Sequence, residues 1–331
     1  MNILFIGGTG IISSACVTEC VRSGHEVTLL NRGIGPRPVP VHLEHLKIDY
    51  SSDRAVSLLA KRRWDVAIDW ICFSPSQARR DIELFAGKTD QFIFISSASA
   101  YQTPPDMLPV TEETPLDNPF WEYSRNKIAC EELFFAAHNQ EKLPVTVVRP
   151  SHTYDNTLLP FHGGYPILAR LKKGQPVVVH GDGSSIWVLT HHRDFARGFL
   201  GLLGHPSALG QDFHITSDEL LTWNQIFRIM ADCVDGQFVP VYLPSNTIAR
   251  YDPEWGASLL GDKTHSMIFD NSKLRRLVPN FQAEIPFSEG AQEIAHWYAH
   301  NPDWQIPNNQ LEKLIDVLVS LGQPTQPHSS A

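Results

Sequence analysis

Tyr123 and Lys127 stand four residues apart in the run Tyr-Ser-Arg-Asn-Lys, a spacing that sets a phenol and an ammonium on one face of a helix. A free phenol has a pKa near ~10 and is a poor acid or base at neutral pH. A fixed positive charge beside it favours the phenolate, so Tyr123 can trade a proton with an alcohol or a carbonyl. The same spacing also describes an exposed helix turn, and position in the chain separates the two. Upstream, Gln91–Ser96 reads as a buried strand running into Ser97-Ala98-Ser99. That brings hydroxyls to the carboxyl end of a strand, where open α/β sheets bind ligands. Ser97 can hold a substrate oxygen there, and Ser99 can assist it.

The amino-terminal run Met1–Ile6 is short and apolar, ends in Gly7-Gly8-Thr9-Gly10, and is followed by a helical segment from Ile11 to Ser23. Strand, glycine turn and helix form the context of a dinucleotide fingerprint. Gly7 allows the tight turn, and Gly10 lets the backbone approach a pyrophosphate whose charge the helix amino terminus favours. The third glycine of the pattern is replaced by Ser13. A nicotinamide held in this way adds a second positive charge beside Tyr123.

Strand-like runs at Asn2–Ile6, Glu26–Asn31, His45–Ile48, Asp65–Trp70, Gln91–Ser96 and Pro144–Val148 alternate with helical stretches, which predicts an α/β fold with a Rossmann-type doubly wound parallel sheet. Pro36, Pro38 and Pro40 make the segment after the second strand an extended loop. Beyond Arg149 the alternation becomes irregular: Gly164–Lys173 reads as a helix, Pro176–His180 as a strand, and Leu311–Leu321 as a further helix before a tail from Gly322.

Taken together, the glycine turn, Ser97, Tyr123 with Lys127, Asp49 after the third strand, Val147-Val148-Arg149-Pro150, Gly181-Asp182-Gly183, Phe213-His214-Ile215-Thr216-Ser217, Asp270 with Lys273, and Trp297-Tyr298 resemble the extended short-chain dehydrogenase/reductases, also called NAD-dependent epimerase/dehydratases. The resemblance implies a dinucleotide-binding domain over 1–150 that also receives segments near 191–216. A smaller carboxyl-terminal substrate-binding lobe then lies mainly within 151–300, with a helix and tail over 301–331. It implies Ser97, Tyr123 and Lys127 as the catalytic residues, with Lys127 also on the nicotinamide ribose. The cofactor residues it implies are Gly7, Thr9, Gly10, Ile11, Ile12, Asn31, Arg32, Asp49, Tyr50, Trp70, Ser96 and Pro150, besides Tyr123 and Lys127.

At the end of the second strand an acid would bond the adenosine ribose and repel a phosphate. Here Asn31 and Arg32 follow one another, a neutral side chain and a guanidinium, which favours NADP over NAD. Arg32 stacked on adenine or turned to solvent would leave NAD acceptable.

Departures from the family pattern bear on substrate. Members that dehydrate nucleotide sugars carry an Asp-Glu pair after the serine, and this chain has Ala98 and Ser99, with Asp106, Glu112 and Glu113 expected on a solvated loop. Nucleotide-sugar enzymes commonly carry an arginine after Gly-Asp-Gly that clamps a diphosphate, and Trp187 takes that place, either as a substrate wall or as core. Arg170, Arg193, Arg250 and Lys263 are the cations left to compensate. His152 falls at the end of the family's substrate-binding strand, so Ser97, Ser99, His152 and Trp187 are the substrate candidates.

The leading expectation is therefore an NAD(P)-dependent oxidoreductase that interconverts a secondary alcohol and a ketone on a carbohydrate-like or polyhydroxylated metabolite. A redox-neutral sugar epimerase with retained cofactor is the alternative, and a non-catalytic nucleotide-sensing or RNA-associated relative a third.

Composition narrows the field. A formal net charge of −9 over 331 residues disfavours nucleic acid and anionic membranes as partners, leaving a small-molecule substrate. No apolar run reaches membrane-spanning length, and Met1 leads into a strand without a basic flank, so a cytoplasmic protein is expected. Five scattered cysteines suit reduced thiols, and no metal-ligand spacing accompanies His191 and His192. The family resemblance further implies a homodimer, with segments 75–86 and 121–138 as the candidates for its interface.

Overall fold

The computed structural model of the chain describes every residue except 35, 36, 38, 41, 307 and 323–331. Pro36 and Pro38 of the expected loop, and the tail after Gly322, lie outside the described residues. Two compact units form, the first from Met1–Tyr154, Val188–Asp218 and Phe269–Ile285, the second from Asp155–Trp187, Glu219–Ile268 and the residues from Pro286 onward.

The first unit is a seven-stranded parallel sheet. Its strands are β1 (Asn2–Ile6), β2 (Glu26–Asn31), β3 (Glu44–Lys47), β4 (Trp64–Asp69), β5 (Thr89–Ile95), β6 (Val145–Pro150) and a last strand, Gln211–Ile215. They lie in the order Gln211–Ile215, β6, β5, β4, β1, β2, β3. The order reverses at β1, the switch point beside which such sheets bind nucleotides. Alternate residues of a strand face opposite sides: Ile3 and Phe5 join one core with helix α1 (Ile11–Arg22) and Phe195 and Phe199. Leu4 and Ile6 join the other, with Phe92, Phe94 and Phe134. After the short helix α2 (Asp53–Leu59), helices α3 (Pro75–Phe85) and α4 (Glu122–Asn139) pack side by side on that second face.

A buried polar network ties β5, β6, α4 and the last strand. Arg149 donates from Nε and Nη2 to both carboxylate oxygens of Glu131, and from Nη1 to Asp212 at 2.7 Å. It also donates to the Tyr101 hydroxyl at 3.1 Å. That hydroxyl lies 3.0 Å from His214 Nδ1, and His214 Nε2 lies 2.9 Å from the Asp270 carbonyl. Neutral His214 with its proton on Nε2 satisfies all three groups. Ser96 donates to Glu131, and Lys273 to Asp212 at 2.7 Å.

Burial pulls His214 down to about 4, the nearby Arg149 adding to the effect against Asp212 and Asp270. The folded state therefore binds fewer protons than the unfolded chain between the ordinary histidine value and about 4. Stability present above that window is lost as the pH falls through it, by on the order of 3 kcal/mol for this one group. His214→Gln is expected to flatten the acid limb of stability measured by urea unfolding from pH 7 to 4; a limb of unchanged slope would count against the assignment.

In the second unit, strand Val177–His180 pairs in parallel with Pro240–Leu243. Arg170, on the helix Tyr165–Lys172, donates to Glu312 and Asp316 of the helix Asn309–Gly322 at 2.5 and 2.8 Å. Trp187 is 1% exposed and packs 5.7 Å from Trp223. Its indole belongs to this unit's core rather than to an open wall. Among the described residues no helix is long and apolar enough to cross a membrane.

Candidate active site

Helix α4 presents Tyr123, Lys127 and Glu131 at successive steps of four, which stacks them on one face. Lys127 is 1% exposed, and its Nζ donates to the carbonyls of Ile95, at the end of β5, and of Cys72, both at 2.7 Å. The ammonium also lies 4.6 Å from the Phe73 ring, 5.0 Å from Phe94 and 5.7 Å from Tyr123. Burial lowers Lys127 to about 8, against the smaller pull of Cys72 and Asp69, so the side chain is cationic at neutral pH. The Tyr123 ring packs against Trp121 at 4.9 Å and Phe73 at 6.4 Å.

Ser97 follows β5 by two residues, so the contact of Lys127 with Ile95 sets α4 against the serine turn. A second tie is made by hydroxyls: Ser124 donates to Ser99 at 2.7 Å, and Ser99 lies 2.9 Å from Ser97. Asn118 Nδ2 donates to the Ser99 carbonyl at 2.8 Å. Ser97, Ser99, Tyr123 and Lys127 are thus brought to one place. Ser96 is not one of this group, because its buried hydroxyl turns to Glu131.

At the glycine turn, Gly7 has φ +85°, and a Cβ there would stand 2.5 Å from the Ile71 side chain. Only glycine is free of both strains. Ser13 takes up the third position by bonding, its hydroxyl accepting from the Gly10 N–H at 2.8 Å and donating to the Gly7 carbonyl at 3.1 Å. Gly10 is exposed at the N-cap of the twelve-residue α1, whose first turn carries no acidic residue. These features fit a dinucleotide pyrophosphate. Thr9 accepts from Asn31 Nδ2 at 3.0 Å, and Ile11 and Ile12 form the first helical turn.

Beside Asn31 lies a cavity of about 240 Å³ lined by Thr9, Asn31, Gly33, Arg37, Val39, His45 and Lys47. The Asn31 side-chain oxygen Oδ1 accepts from the Gly33 N–H at 2.7 Å and stands 2.9 Å from His45 Nε2. Arg32 is exposed and does not line this cavity; its charge acts instead on Asp49, whose carboxyl is held low first by the Ser51 hydroxyl and N–H. The cations at the cavity, Arg37 and Lys47, were not singled out in the sequence. Lys47 sits opposite Asn31 across the β2–β3 pairing, a juxtaposition that requires the register.

Other expected cofactor residues face inward. Trp70 packs against Phe5, Phe195 and Phe199 at 5.4–6.4 Å. Tyr50 is buried, donates to Asp81, and lies under Arg80 at 4.7 Å. Pro150 closes β6, and His152 begins the strand His152–Tyr154, paired with Leu189–His191. Glu112, expected on a solvated loop, has a buried side chain that accepts from the His214 N–H. Among the described residues, no three His, Cys, Asp or Glu side chains are grouped to hold a metal ion.

The profile of the NAD dependent epimerase/dehydratase family matches residues 78–216, the stretch that carries Ser97, Tyr123, Lys127 and Arg149. Similarity extends further along the chain: 2'-dehydrokanamycin reductase of Streptomyces kanamyceticus is 27% identical over 310 residues, 90% of this chain and 84% of that protein. Over residues 78–216 the chain is similar to the NAD-dependent epimerase/dehydratase family. This is a family of NAD(P)-dependent enzymes acting on sugars. Another relative, the chloroplast stem-loop binding protein of 41 kDa b of Arabidopsis thaliana, is 28% identical over 76% of this chain and 66% of that protein. Among solved structures, the UDP-glucuronic acid 4-epimerase of Bacillus cereus, in complex with UDP-glucuronic acid and NAD, shares the fold. Its TM-score is 0.74 at 19% identity, over 91% of this chain and 99% of that one.

Proposed function

We propose that this protein is an NAD(P)-dependent reductase that interconverts a ketone and a secondary alcohol on a carbohydrate-like, polyhydroxylated substrate. The observation that carries the reading is the gathering of Ser97, Tyr123 and buried Lys127 at the carboxyl end of β5. NAD(P)H, held along Gly7, Gly10 and Asn31, supplies the hydride when bound. Tyr123 Oη gives a proton to the substrate oxygen, or takes one in the reverse direction, while the Lys127 ammonium favours the phenolate. Ser97 Oγ holds the same oxygen. Similarity to a 2'-dehydrokanamycin reductase supports the reductive direction. The test is consumption of NADPH or NADH with 2'-dehydrokanamycin and other keto sugars. Cofactor that stays bound through purification, with epimerised product and no net consumption, would favour a sugar epimerase instead.

NADP is the favoured cofactor, and the cations that would meet its 2'-phosphate are Arg37 and Lys47 rather than Arg32. Replacing both Arg37 and Lys47 by Ala is expected to weaken NADPH binding at least about tenfold while changing NADH binding by less than about twofold, since only the phosphate needs the charges. Fluorescence titration of both cofactors decides it, and a parent protein that prefers NADH would end the assignment.

Nucleotide-sugar substrates are disfavoured. Trp187 replaces the diphosphate clamp and is buried, Arg170 is engaged by Glu312 and Asp316, and Lys263 pairs with Asp262 at 3.1 Å. Calorimetry with UDP and UDP-glucose is expected to give no binding tighter than millimolar. Micromolar binding of either would promote the epimerase.

A further inference from the structure

The three hydroxyls beside Tyr123 form a chain with a direction. Ser124 is fully buried and Ser99 is 4% exposed, so each hydroxyl hydrogen needs an acceptor inside the protein. Ser124 Oγ donates to Ser99 Oγ at 2.7 Å. The Ser99 hydrogen then has Ser97 Oγ, 2.9 Å away, as its acceptor. Ser97 Oγ also accepts from the Ser99 backbone N–H at 3.2 Å. A serine hydroxyl has two acceptor lone pairs and one hydrogen, and Ser99 occupies both lone pairs of Ser97. The only capacity left to Ser97 is its own O–H, free to donate outward.

We infer that Ser124, acting through Ser99, makes Ser97 an obligate hydrogen-bond donor to the substrate oxygen, so that Ser97 grips a carbonyl and Tyr123 alone exchanges the proton. This rests on the reductase reading above. It separates two serines that sequence alone treats alike: Ser97 touches substrate, whereas Ser99 is a positioning residue. It also gives Ser124, a spacer in the Tyr-Ser-Arg-Asn-Lys run, a role in polarity. Without Ser124, a Ser99 lone pair is vacated, and the Ser97 hydrogen can turn inward to it instead of facing the substrate. The Asn118 bond to the Ser99 carbonyl holds the turn in the geometry that makes both Ser97 contacts.

A double-mutant cycle tests the chain, with 2'-dehydrokanamycin as the ketone and NADPH and NADH as reductants. Ser97→Ala removes a donor to the developing oxyanion and is expected to lower kcat about a hundredfold. Ser124→Ala in the parent is expected to lower kcat about tenfold, with KM changed less than about twofold, because the misdirected hydroxyl matters most where charge develops. In the Ser97→Ala background the same change is expected to cost nothing further, since the group it orients is gone. Ser99→Ala repeats the cycle if Ser124→Ala does not fold, and Ser99→Thr, which keeps the hydroxyl, is expected to retain parental kcat. Equal losses from Ser124→Ala in both backgrounds would show a merely structural role and overturn the inference, as would no loss in the parent. A parent protein that turns over no 2'-dehydrokanamycin with either cofactor would instead overturn the reductase reading for this substrate class, and the inference with it.

Discussion

Tyr123→Phe is expected to lower turnover at least about a thousandfold, the upper range for loss of a positioned general acid, while NAD(P) binding changes less than about twofold. Phenylalanine keeps the ring that packs on Trp121 and Phe73, so the loss is confined to the proton at Oη. Lys127 supplies the second arm. Its ammonium lies 5.7 Å from the Tyr123 ring and is lowered by burial to about 8. As the pH rises through about 8 the positive charge beside Tyr123 is lost, and its support for the phenolate goes with it. Lys127→Met is therefore expected to remove that support at every pH and to abolish any limb of the pH–rate profile near 8. Steady-state rates from pH 6 to 10, with cofactor titrations alongside, measure both. A Tyr123→Phe protein with near-parental turnover would remove Tyr123 from the chemistry.

Arg149→Ala is expected to cost about 3–5 kcal/mol of stability, the usual result of removing one partner from a buried ion pair. Its loss strands Glu131, 1% exposed at the side chain, and leaves Asp212 with Lys273 alone. Glu131 lies one helical step beyond Lys127, so the same change also loosens the helix that carries Tyr123 and Lys127. Glu131→Gln combined with Arg149→Met, which removes both charges at similar volume, is expected to recover much of the stability, because no uncompensated charge remains. Urea unfolding at pH 7 reads both values. A single Arg149→Ala change costing under about 1 kcal/mol would mean that the network contributes little, as exposed pairs do.

Much of the first unit was legible in the residues. The strands β1, β2 and β4 to β6 announce themselves as apolar runs between turn signals, because a parallel strand buried on both faces has no polar side to show, whereas the edge strand β3 (Glu-His-Leu-Lys) is only partly covered. The glycine turn was legible for the same local reason: a positive φ at Gly7 and a crowded Cβ admit one residue type. Tyr123 and Lys127 needed only the helical repeat to share a face. These properties depend on neighbours a few residues away, and a sequence displays such neighbours directly.

What the sequence could not display are meetings across the chain. Ser124 reaches Ser99 over 25 residues, and Arg149 lies beside Asp212 only because the last strand pairs with β6. Lys47 faces the Asn31 cavity through the register of β2 on β3, whereas Arg32, adjacent to Asn31 in sequence, is exposed and does not line it. In sequence Trp187 reads equally as a substrate wall or as core, and Trp70 stands among the cofactor residues the resemblance implies; tertiary packing buries the first with Trp223 and sets the second on Phe5, Phe195 and Phe199. Phe269–Ile285, read in sequence as part of the lobe, packs with the first unit, where the Asp270 carbonyl meets His214. Sequence by itself determined which segments become strands and helices and which residue types stand ready for proton chemistry. Register and close packing decided which side chains meet, because a buried hydroxyl or charge takes its partner from whatever the fold brings within about 3 Å, however distant in the chain.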